Sequence, residues 1–294
     1  MNILLTGARG QLGVEWVRHA RSPEGSGLRL APRDASGLDI TDAGAVSAEL
    51  DREEPHAVVN CAAYTAVDRA EEERDRALQV NAEAVGALAD LCAERGIMLM
   101  HYSTDYVFPG RADDRARRPE GYREEDRTSP LNWYGETKWR GEEAIRASGC
   151  RHLILRLSWL CGAGGGNFVK TMLRLASERD HLQVVDDQWG SPTFTRQAVR
   201  RSLALMEDGA EGTWHCSSAG ILTWHDFAEA IFDRAGLEVE LEAVSSEAFE
   251  SRARRPAFSK LCCRRLEEAT GRPMASWEEG LGSLLEELKE NHES

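Results

Sequence analysis

Tyr134 and Lys138 stand four apart in the run Tyr134-Gly135-Glu136-Thr137-Lys138. On a helix, for which Ser129-Pro130 offers a start, the two side chains share one face. A tyrosine is a poor proton donor or acceptor near neutrality because its ordinary pKa is about 10. A neighbouring ammonium favours the phenolate and brings that value toward working pH. The same ammonium can hold the ribose hydroxyls of a nicotinamide cofactor. Such pairs also arise by chance on helix surfaces, so their company decides. The run His101-Tyr102-Ser103-Thr104-Asp105-Tyr106-Val107-Phe108 closes an apolar stretch, and Thr104 is placed there to hydrogen-bond a substrate oxygen. Its plainer reading is a strand-end cap. Together Thr104, Tyr134 and Lys138 would polarise a carbonyl and protonate its oxygen while a cofactor delivers hydride to its carbon.

A cofactor cradle is legible at the amino terminus, in Thr6-Gly7-Ala8-Arg9-Gly10-Gln11-Leu12-Gly13. Gly7 permits a tight turn out of a strand, Gly10 lets backbone approach a pyrophosphate, and Gly13 allows close helix–strand packing. The following helix aims its free amides at the phosphates. This GxxGxxG spacing is not the ordinary GxGxxG, and a bare glycine triplet is weak; its place between a strand and a helix makes it a dinucleotide signal. After the second strand, Ala31-Pro32-Arg33-Asp34 offers Arg33 for the extra phosphate of NADP or Asp34 for ribose hydroxyls. The balance leans to NADPH, with NADH possible. Asp39-Ile40 is placed to border the adenine, although Asp39 or Thr41 equally suits capping of a helix near Asp42.

These residues need a scaffold that gathers them. Continuous apolar runs at 3–6, about 28–31, 57–62, 97–103 and 153–157 read as strands buried on both faces. Amphipathic stretches at 11–21, 43–53, 75–95 and 132–147 read as helices between them. The alternation implies an α/β, doubly wound parallel sheet of the Rossmann kind, with ligands beyond the carboxyl ends of its strands. Past the break Gly162-Ala163-Gly164-Gly165-Gly166, helical patterns at 168–179, 195–208, 225–235 and 277–290 suggest a smaller, mostly helical substrate-binding lobe. The expected division is a nucleotide-binding domain over 1–158, with later segments returning to it, and a lobe over 159–294.

Composition narrows the class. With 36 basic and 50 acidic residues among 294, a net charge of −14 argues against duplex nucleic-acid binding. No apolar run approaches the roughly 18 residues of a membrane helix, and the start does not read as a signal peptide. Seven scattered cysteines form no CxxC pair and no Cys/His metal spacing, which suits a reducing, cytoplasmic setting.

The glycine loop, Asn60-Cys61-Ala62-Ala63-Tyr64-Thr65-Ala66-Val67-Asp68, the Ser103–Phe108 and Pro130–Lys138 runs, Arg156-Leu157-Ser158-Trp159, Val185-Asp186-Asp187-Gln188-Trp189-Gly190-Ser191-Pro192-Thr193 and Arg254-Arg255-Pro256-Ala257-Phe258-Ser259 resemble the dTDP-4-dehydrorhamnose reductases, extended short-chain dehydrogenase/reductases. The resemblance spans nearly the whole chain. It implies reduction of a dTDP-linked 4-keto-6-deoxysugar to dTDP-L-rhamnose for cell-surface polysaccharide. By the same resemblance Gly10, Gln11, Leu12 and Gly13 hold the diphosphate, Asp39 and Ile40 the adenosine, and Ala62, Ala63 and Tyr64 the cofactor's path across the sheet. Tyr102 would touch the cofactor, Thr104 and Asp105 the sugar, and Trp159 the deoxyhexose or its nucleotide, unless Trp159 is plain core packing. Tyr134 would donate the proton and Lys138 grip ribose.

The resemblance also implies magnesium-linked homodimers through glutamates, with Glu15 a candidate participant; no metal centre is expected within the chain, and Asp186-Asp187 reads as loop. Departures from the pattern are Pro32 where an acidic residue often stands, Cys161 after Ser-Trp, and Leu261-Cys262-Cys263 near the end. Three other readings share the fold: a reductase or epimerase of another nucleotide-linked keto-deoxysugar, a 4,6-dehydratase, and a non-catalytic regulatory subunit. Thr104 is followed by Asp105-Tyr106 and so lacks the second carboxylate of a dehydratase.

Overall fold

The computed structural model describes residues 1–248 and 251–293, with side chains to 290 at the carboxyl end. The first half alternates as its apolar runs require: β1 (Asn2–Thr6), α1 (Gln11–Arg21), β2 (Arg29–Pro32), α2 (Ala43–Glu53), β3 (Ala57–Asn60), short helices α3 (Val67–Ala70) and α4 (Arg74–Leu78), α5 (Ala84–Arg95), β4 (Met98–Thr104), α6 (Asp114–Arg117), α7 (Trp133–Ser148) and β5 (His152–Leu157). The second half runs β6 (Leu160–Cys161), α8 (Phe168–Ala176), β7 (His181–Val185), β8 (Trp189–Gly190), β9 (Thr193–Phe194), α9 (Thr195–Glu207) and β10 (Gly212–Cys216). It ends with β11 (Leu222–Thr223), α10 (Trp224–Ala235), β12 (Glu240–Val244), α11 (Arg264–Thr270) and α12 (Trp277–Glu293).

Six strands form one parallel sheet in the order β10-β5-β4-β3-β1-β2. The order turns outward in both directions from β1 and β3, and ligand crevices form at such a switch. β3 and β4 are buried along their whole length, which explains their unbroken apolar character. One sheet face packs Ile3, Leu5, Met100 and Leu155 against Trp16 of α1 and against Val199 and Leu203 of α9. The other packs Leu4, Val58, Leu99 and Ile154 against Val46, Leu88 and Ile145. Thus β10 completes the sheet, and α9, Leu266 and Met274, equally distant in sequence, complete the core on this face. A separate core gathers Val169, Phe227, Ile231 and Leu281.

Three local differences from the sequence reading bear on the site. The 75–95 stretch is interrupted by a π-helical turn at 79–83, from which Asn81 reaches across to Tyr64 and Thr137. Helix α7 starts at Trp133, because Asn132 Oδ1 accepts from Gly135 N at 2.8 Å; Pro130 lies ahead of the helix. At α2 the cap is Asp42, whereas Asp39 bonds Thr41 in the preceding turn. Among the described residues no helix is long and apolar enough to cross a membrane.

Candidate active site

The glycine loop leaves β1 at Gly7, whose φ is +67°, a region that β-carbon-bearing residues rarely enter. A Cβ on Gly7 would lie 2.6 Å from Ala62 N, and one on Gly13 would lie 2.2 Å from Gly7 O. Both glycines are therefore required by close approach. Helix α1 begins with Gly10 as N-cap, no side chain caps its amides, and no acidic residue lies in its first turn. Uncapped amides with an unneutralised dipole suit a diphosphate. Gly164 packs on Val14, and Asn167 Nδ2 donates to Gln11 Oε1 at 3.1 Å, so the glycine-rich 162–167 segment lies against the first turn of α1.

Opposite the cradle, α7 brings Tyr134 and Lys138 to the carboxyl end of β4. The approach needs a glycine: a Cβ on Gly135 would lie 2.3 Å from Tyr106 O. The helix is pinned by Glu142, which is fully buried and takes Arg156 Nη2 at 2.7 Å, Arg156 Nε at 2.9 Å and Ser103 Oγ at 2.5 Å. Burial alone would raise the Glu142 carboxyl, but Arg156, Ser103 and Arg146 outweigh it and hold it at about 2. A buried ion pair of this kind fixes geometry more than it adds stability.

Thr104 and Asp105 lie at the end of β4, both buried. Thr104 Oγ1 donates to Asp105 Oδ1 at 2.9 Å and accepts from Tyr106 N at 3.2 Å, and it lowers the phenol of Tyr134 beside it. Asp105 Oδ2 has no hydrogen-bond partner among the described residues. Burial pushes the Asp105 carboxyl up to about 7, against the opposing hydrogen bonds of Thr104 and Ser259. Tyr134 packs edge-on against Tyr106, ring centroids 5.7 Å apart. Burial, with Asp105 beside it, raises the Tyr134 phenol to about 12. It is thus protonated at neutral pH, the state a proton donor needs. Lys138 Nζ, lowered by burial to about 8, donates to Tyr102 O at 2.7 Å and meets His101 Nε2 at 3.0 Å.

The remaining expected residues divide. Tyr102 shows the cleft only its backbone, because its hydroxyl is held by Trp16 and Ser202 on the opposite sheet face. Ala62 and Ala63 follow β3 beside Gly7, and Tyr64 bonds Asn81 and Glu73. Asp39 is exposed and Ile40 buried. Trp159 has φ +46°, unusual for a bulky residue, and stacks on Trp224 at 3.5 Å between centroids. Arg33 departs from the expectation that it meets a cofactor phosphate: its guanidinium bonds Glu49 and Glu53, both at 2.6 Å, and Pro32 O. Arg9, to which the loop spacing assigns no role, is exposed on the glycine loop and pairs with Asp34 at 2.5 Å.

Neither metal possibility presents an open ligand set. Glu15 is bonded by Arg18 at 2.8 Å, and Arg18 reaches on to Glu287 at 2.5 Å, so both carboxylates already face a guanidinium. Asp186 and Asp187 are taken by Thr223 and Ser246. Asp186, His225 and Asp226 do lie within 4.8 Å of one another, but Asp226 is spent on the capping box of α10. All seven cysteines are free thiols, and Cys161 and Cys263 are buried.

Comparison with known proteins adds the lineage. Residues 1–290 match the family described as RmlD substrate binding domain. The dTDP-4-dehydrorhamnose reductase of Shigella flexneri is 39% identical, over 98% of each chain. A dTDP-4-keto-6-deoxy-D-glucose reductase of Streptomyces niveus is 39% identical over 93% of each. The crystal structure of dTDP-4-dehydrorhamnose reductase from Bacillus anthracis in complex with NADP superposes with a TM-score of 0.91 at 39% identity, covering 97% of this chain and 99% of that one. With its glycine cradle, its Thr104–Tyr134–Lys138 cluster and this full-length similarity, the chain belongs to the RmlD substrate binding domain family.

Proposed function

We propose that the protein reduces the 4-keto group of dTDP-4-dehydro-β-L-rhamnose to give dTDP-L-rhamnose, using NADPH, in the cytoplasm. The observation that carries this reading is that one parallel sheet carries the Thr104–Asp105 pair, with Tyr134 beside it, at the end of β4 and the uncapped α1 cradle at the end of β1, in a chain 39% identical over 98% of its length to an enzyme of that name. The cofactor, when bound, supplies the hydride. Gly7, Gly10, Gln11, Leu12 and Gly13 receive its diphosphate; Asp39, Ile40, Ala62, Ala63, Tyr64 and the Tyr102 backbone line the rest of its course. Thr104 hydrogen-bonds the keto oxygen, which orients the carbonyl carbon. Tyr134 gives that oxygen its phenolic proton as the alcohol forms. Lys138 binds ribose and compensates the phenolate left behind. Asp105 and Trp159 hold the sugar. These roles assign the cofactor to residues 1–158 with the returning segments α9, β10 and α11, and the sugar mainly to residues 159–294.

A second reading is reduction of an isomeric dTDP-4-keto-6-deoxyhexose, favoured by the equal identity to the Streptomyces enzyme. Purified protein, NADPH or NADH, and each dTDP-4-keto sugar distinguish the two. Loss of reduced-nicotinamide absorbance with formation of dTDP-L-rhamnose supports the first. Cofactor oxidation only with the other isomer supports the second, and cofactor binding without oxidation of either overturns both.

A further inference from the structure

The segment after β6, residues 162–167, approaches the cofactor cradle closely. A Cβ on Gly164 would lie 2.9 Å from Val14 Cβ, and one on Gly165, whose φ is +63°, would lie 3.0 Å from Gln11 Cγ. Lys170 Nζ donates to Ala163 O at 3.1 Å and to Gly165 O at 2.8 Å, which draws both carbonyls toward α8. Asn167 closes the segment. Its Oδ1 accepts from Lys170 N at 3.2 Å and so caps α8. Its Nδ2 donates to Gly162 O at 2.7 Å and to Gln11 Oε1 at 3.1 Å.

The donors and acceptors of this contact can be counted. Lys170 N is an amide and only donates, and Gly162 O is a carbonyl and only accepts, so the Asn167 side chain cannot be turned over. Both hydrogens of its NH₂ are then committed, one to Gly162 and one to Gln11. The Gln11 atom that meets it must be the oxygen. The Gln11 NH₂ keeps both hydrogens, with no acceptor for them among the described residues. Gln11 is the first residue of α1, whose amides no side chain caps. We propose that Asn167 is a positioning residue for the cofactor: it takes the oxygen of the Gln11 amide, so that the NH₂ joins the α1 amides in facing the diphosphate. A freely rotating Gln11 would present oxygen as readily as NH₂, and an oxygen repels an anion. The inference rests on the reading that the first turn of α1 receives the diphosphate. It makes cofactor affinity depend on a residue 156 positions further along the chain.

Reduced-nicotinamide fluorescence measures NADPH binding to the sugar-free protein. Gln11→Ala removes the NH₂, and losing a charge-assisted hydrogen bond is expected to raise Kd about tenfold. Asn167→Ser keeps an oxygen to cap α8 but is too short to reach Gln11; a rise of about threefold to tenfold is expected. The double variant is expected to bind no more weakly than Gln11→Ala alone, because Asn167 acts through Gln11. Adenosine 2′-monophosphate, which has no diphosphate, is expected to bind the wild type and all three variants alike. Additive losses, an unchanged Kd for NADPH in either single variant, or an equal loss for adenosine 2′-monophosphate overturns the proposal. A crystal structure of the wild type with NADPH decides even if Asn167→Ser misfolds. Gln11 Nε2 is expected within hydrogen-bond distance of a diphosphate oxygen while Asn167 stays on Oε1, and a Gln11 side chain turned from the diphosphate overturns the proposal. Wild-type affinity for NADPH tests the cofactor reading itself and the differences among variants test Asn167, so the two failures are separate.

Discussion

Gly135 and Tyr106 meet so closely that a Cβ on the glycine would lie 2.3 Å from the tyrosine's carbonyl oxygen. The contact lets the first turn of α7 sit against the end of β4, and so sets Tyr134 beside Thr104. Gly135→Ala forces a backbone shift, since a carbonyl cannot swing aside as a long side chain would. The expected cost is about 1–3 kcal/mol of stability. Turnover is expected to fall about a hundredfold, because an ångström of misplacement is enough. Chemical denaturation and steady-state rates check both, and an unchanged rate would show that the contact does not position Tyr134.

Tyr134→Phe tests the proton donor directly. The ring keeps its edge-on contact with Tyr106, so the fold and cofactor affinity are expected to persist. Keto reduction is expected to drop about 10²–10⁴-fold, the usual contribution of a positioned general acid. A variant that binds cofactor and turns over at the wild-type rate removes Tyr134 from the mechanism.

Asp105 makes stability depend on pH in an unusual direction. Its folded-state value of about 7 lies above the ordinary 3.8, so the folded chain binds this proton more tightly than the unfolded chain does. That contribution is complete below about pH 4 and is lost as pH rises through 7. Three units correspond to about 4 kcal/mol. Asp105→Asn keeps the shape and removes the titration. The stability difference between variant and wild type is therefore expected to grow in the variant's favour from pH 4 to pH 7.5. A difference that stays constant across that range would show Asp105 ionised at an ordinary value.

Much of this site was legible as spacing. Strands buried on both faces leave continuous apolar runs, and the glycine loop and the Tyr134–Lys138 pair each occupy a short stretch with its own periodicity. What stayed hidden depends on long-range pairing. β10 reads Gly-Thr-Trp-His-Cys, too short and polar to stand out, yet it completes the sheet beside β5. The π-helical turn at 79–83 has no helix-breaking residue to announce it; it exists because Asn81 bonds Tyr64 and Thr137. Arg33 looked available for a phosphate because Glu49 and Glu53 lie a turn or more away in sequence and meet it only through α2. His101 passed as one more residue of a buried strand.

The choice between NADPH and NADH is expected to turn on Arg9. Its side chain is 83% exposed, sits on the glycine loop, and is tethered by Asp34. A 2′-phosphate offers a doubly charged partner in place of that carboxylate. Arg9→Ala is expected to raise KM for NADPH about tenfold, a loss of about 1.4 kcal/mol, and to leave KM for NADH unchanged. Arg33→Ala is expected to lower thermal stability while leaving the NADPH-to-NADH ratio alone, since its guanidinium is committed to α2. The opposite pattern would return the phosphate to Arg33.

Magnesium dependence is expected to be absent for a reason visible at α1. Glu15 is buried, and burial raises its carboxyl even though Arg18 opposes the shift. Arg18 joins it to Glu287, with Arg196 a further 3.8 Å from the same carboxylate. Two arginines match two glutamates, so a divalent cation would have to displace a guanidinium that already satisfies both acids. Chelator or added magnesium is therefore expected to leave the melting temperature and oligomeric state of the wild type unchanged. Arg18→Ala takes away the bridging charge and leaves Glu15 and Glu287 in mutual repulsion. That variant is expected to melt lower, and to regain part of the loss on addition of magnesium. A wild type destabilised by chelator would show that a metal, and not Arg18, joins these carboxylates in solution.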